Sequence, residues 1–315
     1  MNGDAEVIQR VVPYSRSMPK TVIDFIELMK PELTSLSVLT AICSFYLAHL
    51  GSWSAADFWA LVNLALGTTL VGGGAGALNQ YLERHYDGLM KRTERRPLPS
   101  GRLMPATVLA FGIFLSSIGL LELAFLVNTL TGFLGVVTLT TYLFLYTPLK
   151  RISPIATTIG GIPGALPPLM GWVAARNEIT SGAMILFVIL FLWQMPHFFS
   201  LAWLYRKDYS RAGYRLLTVV DESGTRTSRH VLANCSALIP MSLIPSVLGM
   251  TSMLYFIGAL AAGIVFLLFG IMFATSFISA QEENLVRTNL SARRLFFASL
   301  VYLPVLFILM VIDKV

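Results

Sequence analysis

Apolar stretches of about 20 residues recur along the whole chain, and short polar interruptions separate them. A helix that crosses a bilayer needs roughly 20 consecutive, mostly apolar residues. The apolar cores lie near residues 34–50, 57–78, 104–127, 131–147, 154–175, 181–203, 231–250, 253–276 and 295–312. The pattern therefore predicts an all-α fold, a polytopic membrane bundle of nine transmembrane helices.

The composition agrees with this prediction, because 55% of the 315 residues are hydrophobic and only 13% are charged. No apolar run precedes residue 31, and the first 30 residues contain four acids, unlike a secretory signal or an acid-poor transit peptide. We expect residues 1–30 to form a cytoplasmic amino-terminal segment and residues 31–315 a single transmembrane domain. A bacterial inner membrane is the expected location.

Positive charge is confined to alternate connections between the predicted helices. Of the 23 lysines and arginines, all but Arg176 and Lys314 lie in the amino-terminal segment or in the loops after helices 2, 4, 6 and 8. Cytoplasmic loops carry such an excess of basic residues. The amino terminus is therefore predicted to be cytoplasmic and the carboxyl terminus periplasmic, and the basic pI does not indicate a nucleic-acid partner.

Two long cationic loops, 79–103 and 204–230, follow predicted helices 2 and 6. These helices are four apart and share one orientation, which suggests an internal duplication. In membrane bundles built from repeats, the functional site lies at the interface between the repeats. We therefore expect the two loops to face each other.

The end of predicted helix 2 carries oxygen-bearing side chains at every fourth position: Asn79, Glu83 and Asp87. On a continuing helix these residues fall within roughly 80° of arc along about 12 Å of axis. Mg²⁺ is commonly held by one or two carboxylates together with substrate phosphate oxygens and water. The column therefore predicts a Mg²⁺ site, and the alternative is a solvated helix end whose acids pair with neighbouring basic residues.

Four cations follow this column within six residues: Lys91, Arg92, Arg95 and Arg96. Arginine binds phosphate oxygens in bidentate fashion, and fixed cations stabilise the charge on a departing diphosphate. A basic run next to the membrane can also be only a topology signal or a contact with anionic lipid. Its position beside the acidic column favours a diphosphate site.

The loop after helix 6 contains Asp208 among several basic residues, of which Lys207 is its neighbour in sequence. One interpretation is a surface ion-pair cluster. The other follows from the duplication, which places this loop opposite Asp87, so that Asp208 and Lys207 would help to clasp one diphosphate. Lys150 and Arg151, in the loop after helix 4, would contribute further positive charge to it.

Helix 6 carries two polar side chains near its middle, Gln194 and His197, around Pro196. Polar groups at membrane depth are costly and need partners. Their partners could be groups on neighbouring helices, to which they would form hydrogen bonds, or they could contact a ligand. The pattern alone leaves both possibilities open.

The stretch 79–102 resembles the first signature of the UbiA-type intramembrane prenyltransferases, and in particular their haem-modifying branch. Further segments agree with it: Leu-Met-Lys-Pro-Glu at 28–32, Thr-Pro-Leu-Lys-Arg at 147–151, Gly-Gly-Ile-Pro-Gly at 160–164, Trp-Gln-Met-Pro-His at 193–197 and Lys-Asp-Tyr at 207–209. The resemblance covers roughly residues 25–312. The sequence departs from the general family at its second aspartate motif, where Tyr205 and Tyr209 stand in place of paired aspartates.

The resemblance implies a UbiA-type fold, Mg²⁺ as cofactor, and catalytic contributions from the Asn79 column and Asp208. It also implies that the farnesyl group of farnesyl diphosphate is joined to a vinyl group of haem b with addition of water, giving haem O. His197 and Gln194 would then lie beside haem, as an iron ligand or as hydrogen-bond partners of a propionate. Besides both substrates and the lipid bilayer, a downstream haem A synthase or terminal-oxidase assembly factors are implied partners.

Two other functions fit parts of the sequence. A prenyltransferase could act on another ring acceptor, such as a quinone precursor or a chlorophyll-type tetrapyrrole, although the depleted second aspartate motif argues against quinone precursors. A transporter or a non-enzymatic haem-handling membrane protein would also have many spans and a histidine at membrane depth. The cluster of acids and arginines at the water interface argues against both of these.

Overall fold

The computed structural model describes residues 21–277 and 283–315. Arg10, Arg16 and Lys20, which entered the charge count, lie outside the described residues. The described helices are α1 (Thr21–Leu28), α2 (Pro31–Ala48), α3 (Ala55–Asp87), α4 (Pro105–Glu122), α5 (Thr129–Thr140), α6 (Thr147–Leu149), α7 (Ala156–Arg176), α8 (Ser181–Leu204), α9 (Arg206–Arg211), α10 (Leu217–Val220), α11 (Thr225–Val247), α12 (Met253–Thr275) and α13 (Glu283–Ile312). π-helical turns at Leu123–Val127 and Thr141–Tyr146 extend α4 and join α5 to α6.

Within the described part of the chain, eight helical stretches are long and apolar enough to cross a membrane. They are Pro31–Ala48, Ala55–Asp87, Pro105–Val127, Thr129–Leu149, Ser181–Leu204, Thr225–Val247, Met253–Thr275 and Val286–Ile312. The protein is therefore an all-helical, multi-span membrane protein, but the predicted count of nine is not confirmed. The remaining predicted span corresponds to α7, whose 21 residues include three prolines and are mostly buried.

The long helices form a closed ring. Helix α2 packs against α3 and α7, α3 packs against α4, and α5 packs against α7. Helix α8 packs against α7, α11 and α13, while α12 lies between α11 and α13. A contact between α13 and α2 completes the ring, so that α2, α3, α7 and α8 can enclose an interior space.

Helix α3 approaches α4 closely because both helices carry glycine at their contact. A Cβ atom on Gly74 would lie 2.2 Å from Ser116 Oγ and 2.9 Å from the Gly112 carbonyl oxygen. A Cβ atom on Gly119 would lie 2.8 Å from the Val71 amide nitrogen. Small residues permit such backbone contact between membrane helices. The contact fixes α3 as a rigid wall of the bundle.

Helix α1, from the predicted amino-terminal segment, is docked on the bundle. Leu28 is fully buried, and its carbonyl oxygen accepts a hydrogen bond from Gln80 Nε2 at 3.3 Å. Arg102 pairs with Asp24 and with Glu27. The described end of the segment therefore packs with the helices that follow it, and it positions the junction between α1 and α2.

Arg176 and Lys314, the two cations that lie outside the amino-terminal segment and the basic loops, are found at the same end of the bundle. Lys314 Nζ donates hydrogen bonds to the carbonyl oxygens of Tyr46 (2.7 Å) and His49 (2.6 Å). Arg176 Nε donates to the Ala48 carbonyl oxygen at 2.9 Å. These contacts lie at the end of α2 that is farthest from the α1–α2 junction, so the bundle does segregate its charge along its long axis.

Candidate functional site

A cavity of about 370 Å³ lies inside the ring, between α2, α3, α7 and α8. Charged and hydroxyl-bearing side chains line the end near the α1–α2 junction, and apolar side chains such as Leu36, Val71, Met170 and Leu190 line the remainder. A space with one polar end and a long apolar part suits an amphiphilic molecule.

The predicted column of Asn79, Glu83 and Asp87 forms one wall of the polar end. Helix α3 continues without interruption to Asp87, so the three side chains share a face, and none is more than 6% exposed. Asn79 Nδ2 donates a hydrogen bond to Glu83 Oε2 at 3.0 Å. The column is thus a buried part of the cavity and not a solvated helix end.

Each member of the column is bonded to a different basic residue. Lys30 Nζ donates to Asn79 Oδ1 at 2.7 Å, and Lys150 Nζ donates to Glu83 Oε1 at 2.7 Å. Asp87 accepts hydrogen bonds from Arg96 Nη1 at 3.0 and 2.9 Å. Including Arg92, four cations therefore face two carboxylates in the cavity, and this excess of positive charge suits an anionic ligand.

Lys30 and Lys150 have pKa values that are shifted in opposite directions. Burial lowers the pKa of Lys30 to about 7, and repulsion from Arg96 acts in the same direction. Burial also acts against the charge of Lys150, but the Glu83 carboxylate outweighs it and raises the pKa of Lys150 well above its usual value. Lys150 is therefore a fixed charge, whereas an anion entering beside Lys30 would favour its charged form.

Arg92 connects the two cationic loops. Its Nη2 donates a hydrogen bond to Tyr209 Oη at 2.7 Å, and its guanidinium lies 4.6 Å from the Tyr209 ring and 4.9 Å from the Tyr205 ring. Cations and aromatic rings attract each other in this geometry. The two tyrosines that stand in place of the second aspartate motif therefore hold an arginine at the cavity.

Other predicted site residues do not reach the cavity. Lys91, Arg95, Arg151 and Lys207 are exposed and do not line it. Asp208 instead accepts a hydrogen bond from Arg211 at 3.2 Å. On the short helix α9, consecutive residues are about 100° apart, so a helix that turns Tyr209 toward the cavity turns Asp208 away from it.

His197 and Gln194 both line the cavity beyond its polar end. Ser299 Oγ donates to the Phe296 carbonyl oxygen at 2.5 Å and lies 2.8 Å from His197 Nδ1. Because the serine proton is already used, we assign the proton between them to His197 Nδ1, which makes Nε2 the unprotonated nitrogen. Gln194 Nε2 donates to the Gly161 carbonyl oxygen at 2.6 Å.

The oxygen atoms of the Asn79 column fit Mg²⁺ only as part of a larger set of ligands. Among the described residues, no three histidine, cysteine, aspartate or glutamate side chains stand together as a metal site. The amide and two carboxylates are nevertheless the hard oxygen donors that Mg²⁺ prefers, and phosphate oxygens usually complete such a site. The arrangement therefore fits Mg²⁺ bound together with a diphosphate.

Residues 37–301 of the chain match the model of the UbiA prenyltransferase family. The chain belongs to this family. The resemblance inferred from the motifs is confirmed, since a relative named "Protoheme IX farnesyltransferase", from Solibacter usitatus, is 45% identical over 297 residues, covering 92% of this chain and 98% of the relative.

Solved structures confirm the UbiA fold. A structure of digeranylgeranylglyceryl phosphate synthase matches with a TM-score of 0.75 and 15% identity, covering 92% of this chain and 97% of that chain. A UbiA homologue from Archaeoglobus fulgidus, solved bound to GPP and Mg²⁺, matches with a TM-score of 0.62 and 12% identity, covering 89% and 99% of the two chains.

In this UbiA-family bundle, two residues of the polar end were not predicted as site residues. Lys30 was counted only as a topology signal, although it stands in the motif at 28–32, and its left-handed backbone (φ 49°, ψ 61°) marks a constrained position. Tyr214, only 3% exposed, lines the cavity close to Glu83. Burial, followed by the Glu83 charge, raises the pKa of Tyr214, so its phenol stays protonated.

Proposed function

We propose that this protein transfers the farnesyl group of farnesyl diphosphate to a vinyl group of haem b, with addition of water, giving haem O and diphosphate. The observation that carries the proposal is a single cavity that joins an anion-binding end to an apolar part containing His197. The relative from Solibacter usitatus, which bears the name of such an enzyme, supports it. A transporter or haem carrier would have no use for a buried diphosphate site.

We infer that Lys30, Arg96 and Lys150 bind the diphosphate, with Arg92 at the mouth of the cavity. All four line the cavity, and three of them already contact the acidic column. Glu83 and Asp87, with Asn79, would hold Mg²⁺ against the same diphosphate. When bound, Mg²⁺ neutralises charge on the diphosphate and so favours its departure. The Archaeoglobus fulgidus homologue, solved with GPP and Mg²⁺, supports this assignment.

The proposed reaction breaks the allylic carbon–oxygen bond, the π bond of the vinyl group and one O–H bond of water, and it forms a carbon–carbon bond and a new carbon–oxygen bond. The bond from the allylic carbon of the farnesyl group to the diphosphate breaks, and its electron pair leaves with the diphosphate. The terminal vinyl carbon of haem b bonds to the allylic carbon, water adds to the other vinyl carbon, and the water loses one proton. The rings of Tyr142 and Tyr146, which line the cavity, would stabilise the allylic cation.

We propose that His197 places the haem. Its Nδ1 is engaged by Ser299, so the lone pair of Nε2 can ligate iron or accept a hydrogen bond. Gln194 uses its amide nitrogen for Gly161, and its carbonyl oxygen lies against Gly164, which also lines the cavity. The side chains that hold the acceptor are thus separate from those that hold the diphosphate.

We propose nine spans in a bacterial inner membrane, with α7 as the ninth and the amino terminus in the cytoplasm. Helix α7 begins near the polar end, where Gly160 packs on the Tyr146 ring, and ends with Arg176 bonded to Ala48 at the opposite end. It therefore runs the height of the bundle, between α2 and α8. The product would pass to a haem A synthase or to oxidase assembly factors.

The direct test mixes purified protein with farnesyl diphosphate, haem b and Mg²⁺. We expect release of diphosphate and, by mass spectrometry, haem that is heavier by one farnesyl group and one hydroxyl group. Farnesyl transfer to a quinone precursor with haem left unchanged would contradict the assigned acceptor. Absence of any diphosphate release would contradict the assignment as an enzyme.

We also predict that turnover requires a divalent cation. Glu83 and Asp87 carry the same sign of charge as the diphosphate, and a divalent cation between them would replace this repulsion with attraction. Activity should be lost in excess chelator and restored by Mg²⁺ or Mn²⁺. Full turnover in chelator would remove the metal from the proposal.

A further inference from the structure

Tyr214 carries a buried hydroxyl group that has no hydrogen-bond partner among the described residues. The side chain is 3% exposed and lines the polar end of the cavity. Leaving a buried hydroxyl unpaired is unfavourable, so native proteins rarely do so without a reason. At a cavity wall the natural reason is a ligand that supplies the missing acceptor.

The position of this hydroxyl is fixed by the backbone on both sides of it. Gly213 adopts a left-handed turn (φ 74°), and the Tyr214 amide then donates to the Tyr209 carbonyl oxygen at 3.0 Å. The next amide, that of Arg215, donates to the Lys150 carbonyl oxygen at 2.8 Å. The segment is thereby tied both to α9 and to the loop that supplies the cation opposite Glu83.

The ring of Tyr214 is held as firmly as its backbone. It packs between the rings of Tyr86 and Tyr209, whose centroids lie 6.1 and 5.8 Å away. The neighbouring Glu83 carboxylate already accepts hydrogen bonds from Asn79 Nδ2 and Lys150 Nζ. A ligand oxygen that enters the cavity beside the hydroxyl would supply the acceptor that it lacks.

The surroundings select the kind of group. Lys150 Nζ lies 5.9 Å from the Tyr214 ring, and the cations of this end outnumber its carboxylates, so the entering acceptor is an anion. Resting on the function proposed above, we infer that the Tyr214 hydroxyl donates a hydrogen bond to a diphosphate oxygen of the prenyl substrate.

This hydrogen bond would strengthen during the reaction. When the bond from the allylic carbon to the diphosphate breaks, its electron pair moves onto a diphosphate oxygen, and a donor beside that oxygen gains attraction. The phenol keeps its proton throughout, so no proton transfer is involved. Tyr214 thus adds a neutral donor to a set of charged ones, and it also contacts the released diphosphate.

The test measures binding of inorganic diphosphate with Mg²⁺ to the full chain by calorimetry. Loss of a hydrogen bond to a charged group raises the dissociation constant by about ten- to a hundredfold. We expect this effect from Tyr214→Phe. Its melting temperature without ligand should stay equal to the wild-type value or rise, because an unpaired group has been removed. Haem affinity should not change.

Tyr302→Phe is the matched control. Tyr302 is 4% exposed and its hydroxyl is also unpaired among the described residues, but it does not line the cavity. Its loss should leave diphosphate binding unchanged. Wild-type diphosphate affinity in Tyr214→Phe, or a Tyr214→Phe protein that fails to fold, would overturn the inference. If the wild-type protein itself does not bind diphosphate, the proposed function fails, and this inference fails with it.

Discussion

The buried carboxylates of the site are each held by their own basic residue. Glu83 is paired with Lys150 and Asp87 with Arg96, and both acids are at most 6% exposed. Removing one member of a buried pair leaves the other charge without compensation and costs about 3–5 kcal/mol. Substitutions at these positions therefore have to preserve shape and hydrogen bonding if function is to be separated from folding.

We predict that Asp87→Asn abolishes most activity while the protein remains folded. The amide oxygen still accepts from Arg96, but the charge that would hold the metal is gone. The turnover number should fall by about a hundredfold or more, a loss typical of a site that stabilises developing charge. Product formation and thermal unfolding measured together would show this. An Asp87→Asn protein with wild-type turnover would exclude Asp87 as a metal ligand.

Asp208→Asn provides the matched comparison. The family resemblance makes Asp208 a catalytic residue, whereas its side chain bonds to Arg211 and does not line the cavity. On the geometry, its loss should reduce turnover far less than the loss of Asp87. Equal losses would return Asp208 to the catalytic set.

We predict that His197→Ala weakens haem binding and leaves binding of farnesyl diphosphate unchanged. One lost hydrogen bond is worth about 0.5–1.5 kcal/mol, or roughly a three- to tenfold higher dissociation constant, and a larger loss would indicate iron ligation. Haem and a non-hydrolysable farnesyl diphosphate analogue should be titrated separately. His85→Ala, at an exposed position outside the cavity, is the control. Equal weakening of both ligands would remove His197 from the haem site.

Local periodicity explains which of these residues could be foreseen. The Asn79 column follows from spacing along one helix, so it could be predicted without any tertiary information. Lys30 meets Asn79 across 49 residues and Lys150 meets Glu83 across 67, and only packing brings such pairs together. The orientation of Asp208 depends on a helix of six residues that the sequence pattern does not mark.

At the scale of elements, α3 and α7 form two walls of the cavity by different means. Helix α3 is apolar along most of its length, so its existence was predictable, although it extends nine residues beyond the predicted end at 78. Helix α7 lies between other helices, and 14 of its residues are buried, so it contacts little lipid. The apolar pattern at 154–175 nevertheless predicted α7 to within two residues of its observed ends.

We predict that Gly74→Ala lowers stability by about 1–3 kcal/mol, because the added methyl group would overlap Ser116 and separate α3 from α4. Thermal unfolding of the purified protein is the measurement. Gly88→Ala is the control, since the nearest atom to its new methyl group would lie 3.7 Å away. Equal melting temperatures for the two variants would show that this helix contact can relax without cost.

At the scale of the whole molecule, charge is divided between the two ends of the bundle. The cavity end carries Arg92, Arg96 and Lys150, whereas Arg176 and Lys314 lie together at the other end. The sequence alone predicted this division, since it depends only on which loops are basic. An odd number of spans would place the amino and carboxyl termini on opposite sides of the membrane.

We predict that Glu94→Cys and Val315→Cys are labelled from opposite sides of the membrane. Both native residues are exposed, and they lie at opposite ends of the bundle. In a background carrying Cys43→Ala and Cys235→Ala, an impermeant maleimide should label Val315→Cys in intact cells and Glu94→Cys only after permeabilisation. Labelling of both positions from the same side would contradict an odd number of spans.

The cavity lies within a bundle whose outer surface is largely apolar, with Phe125, Phe144 and Val247 each at least 70% exposed. Such a surface keeps the protein dissolved in lipid, and both proposed substrates, being amphiphiles, partition into the same phase. Encounters then take place by diffusion in two dimensions, and the relevant concentration is the number of substrate molecules per unit area of membrane. Added lipid would dilute the substrates even at constant bulk concentration, so a Michaelis constant for this protein has meaning only as a surface mole fraction.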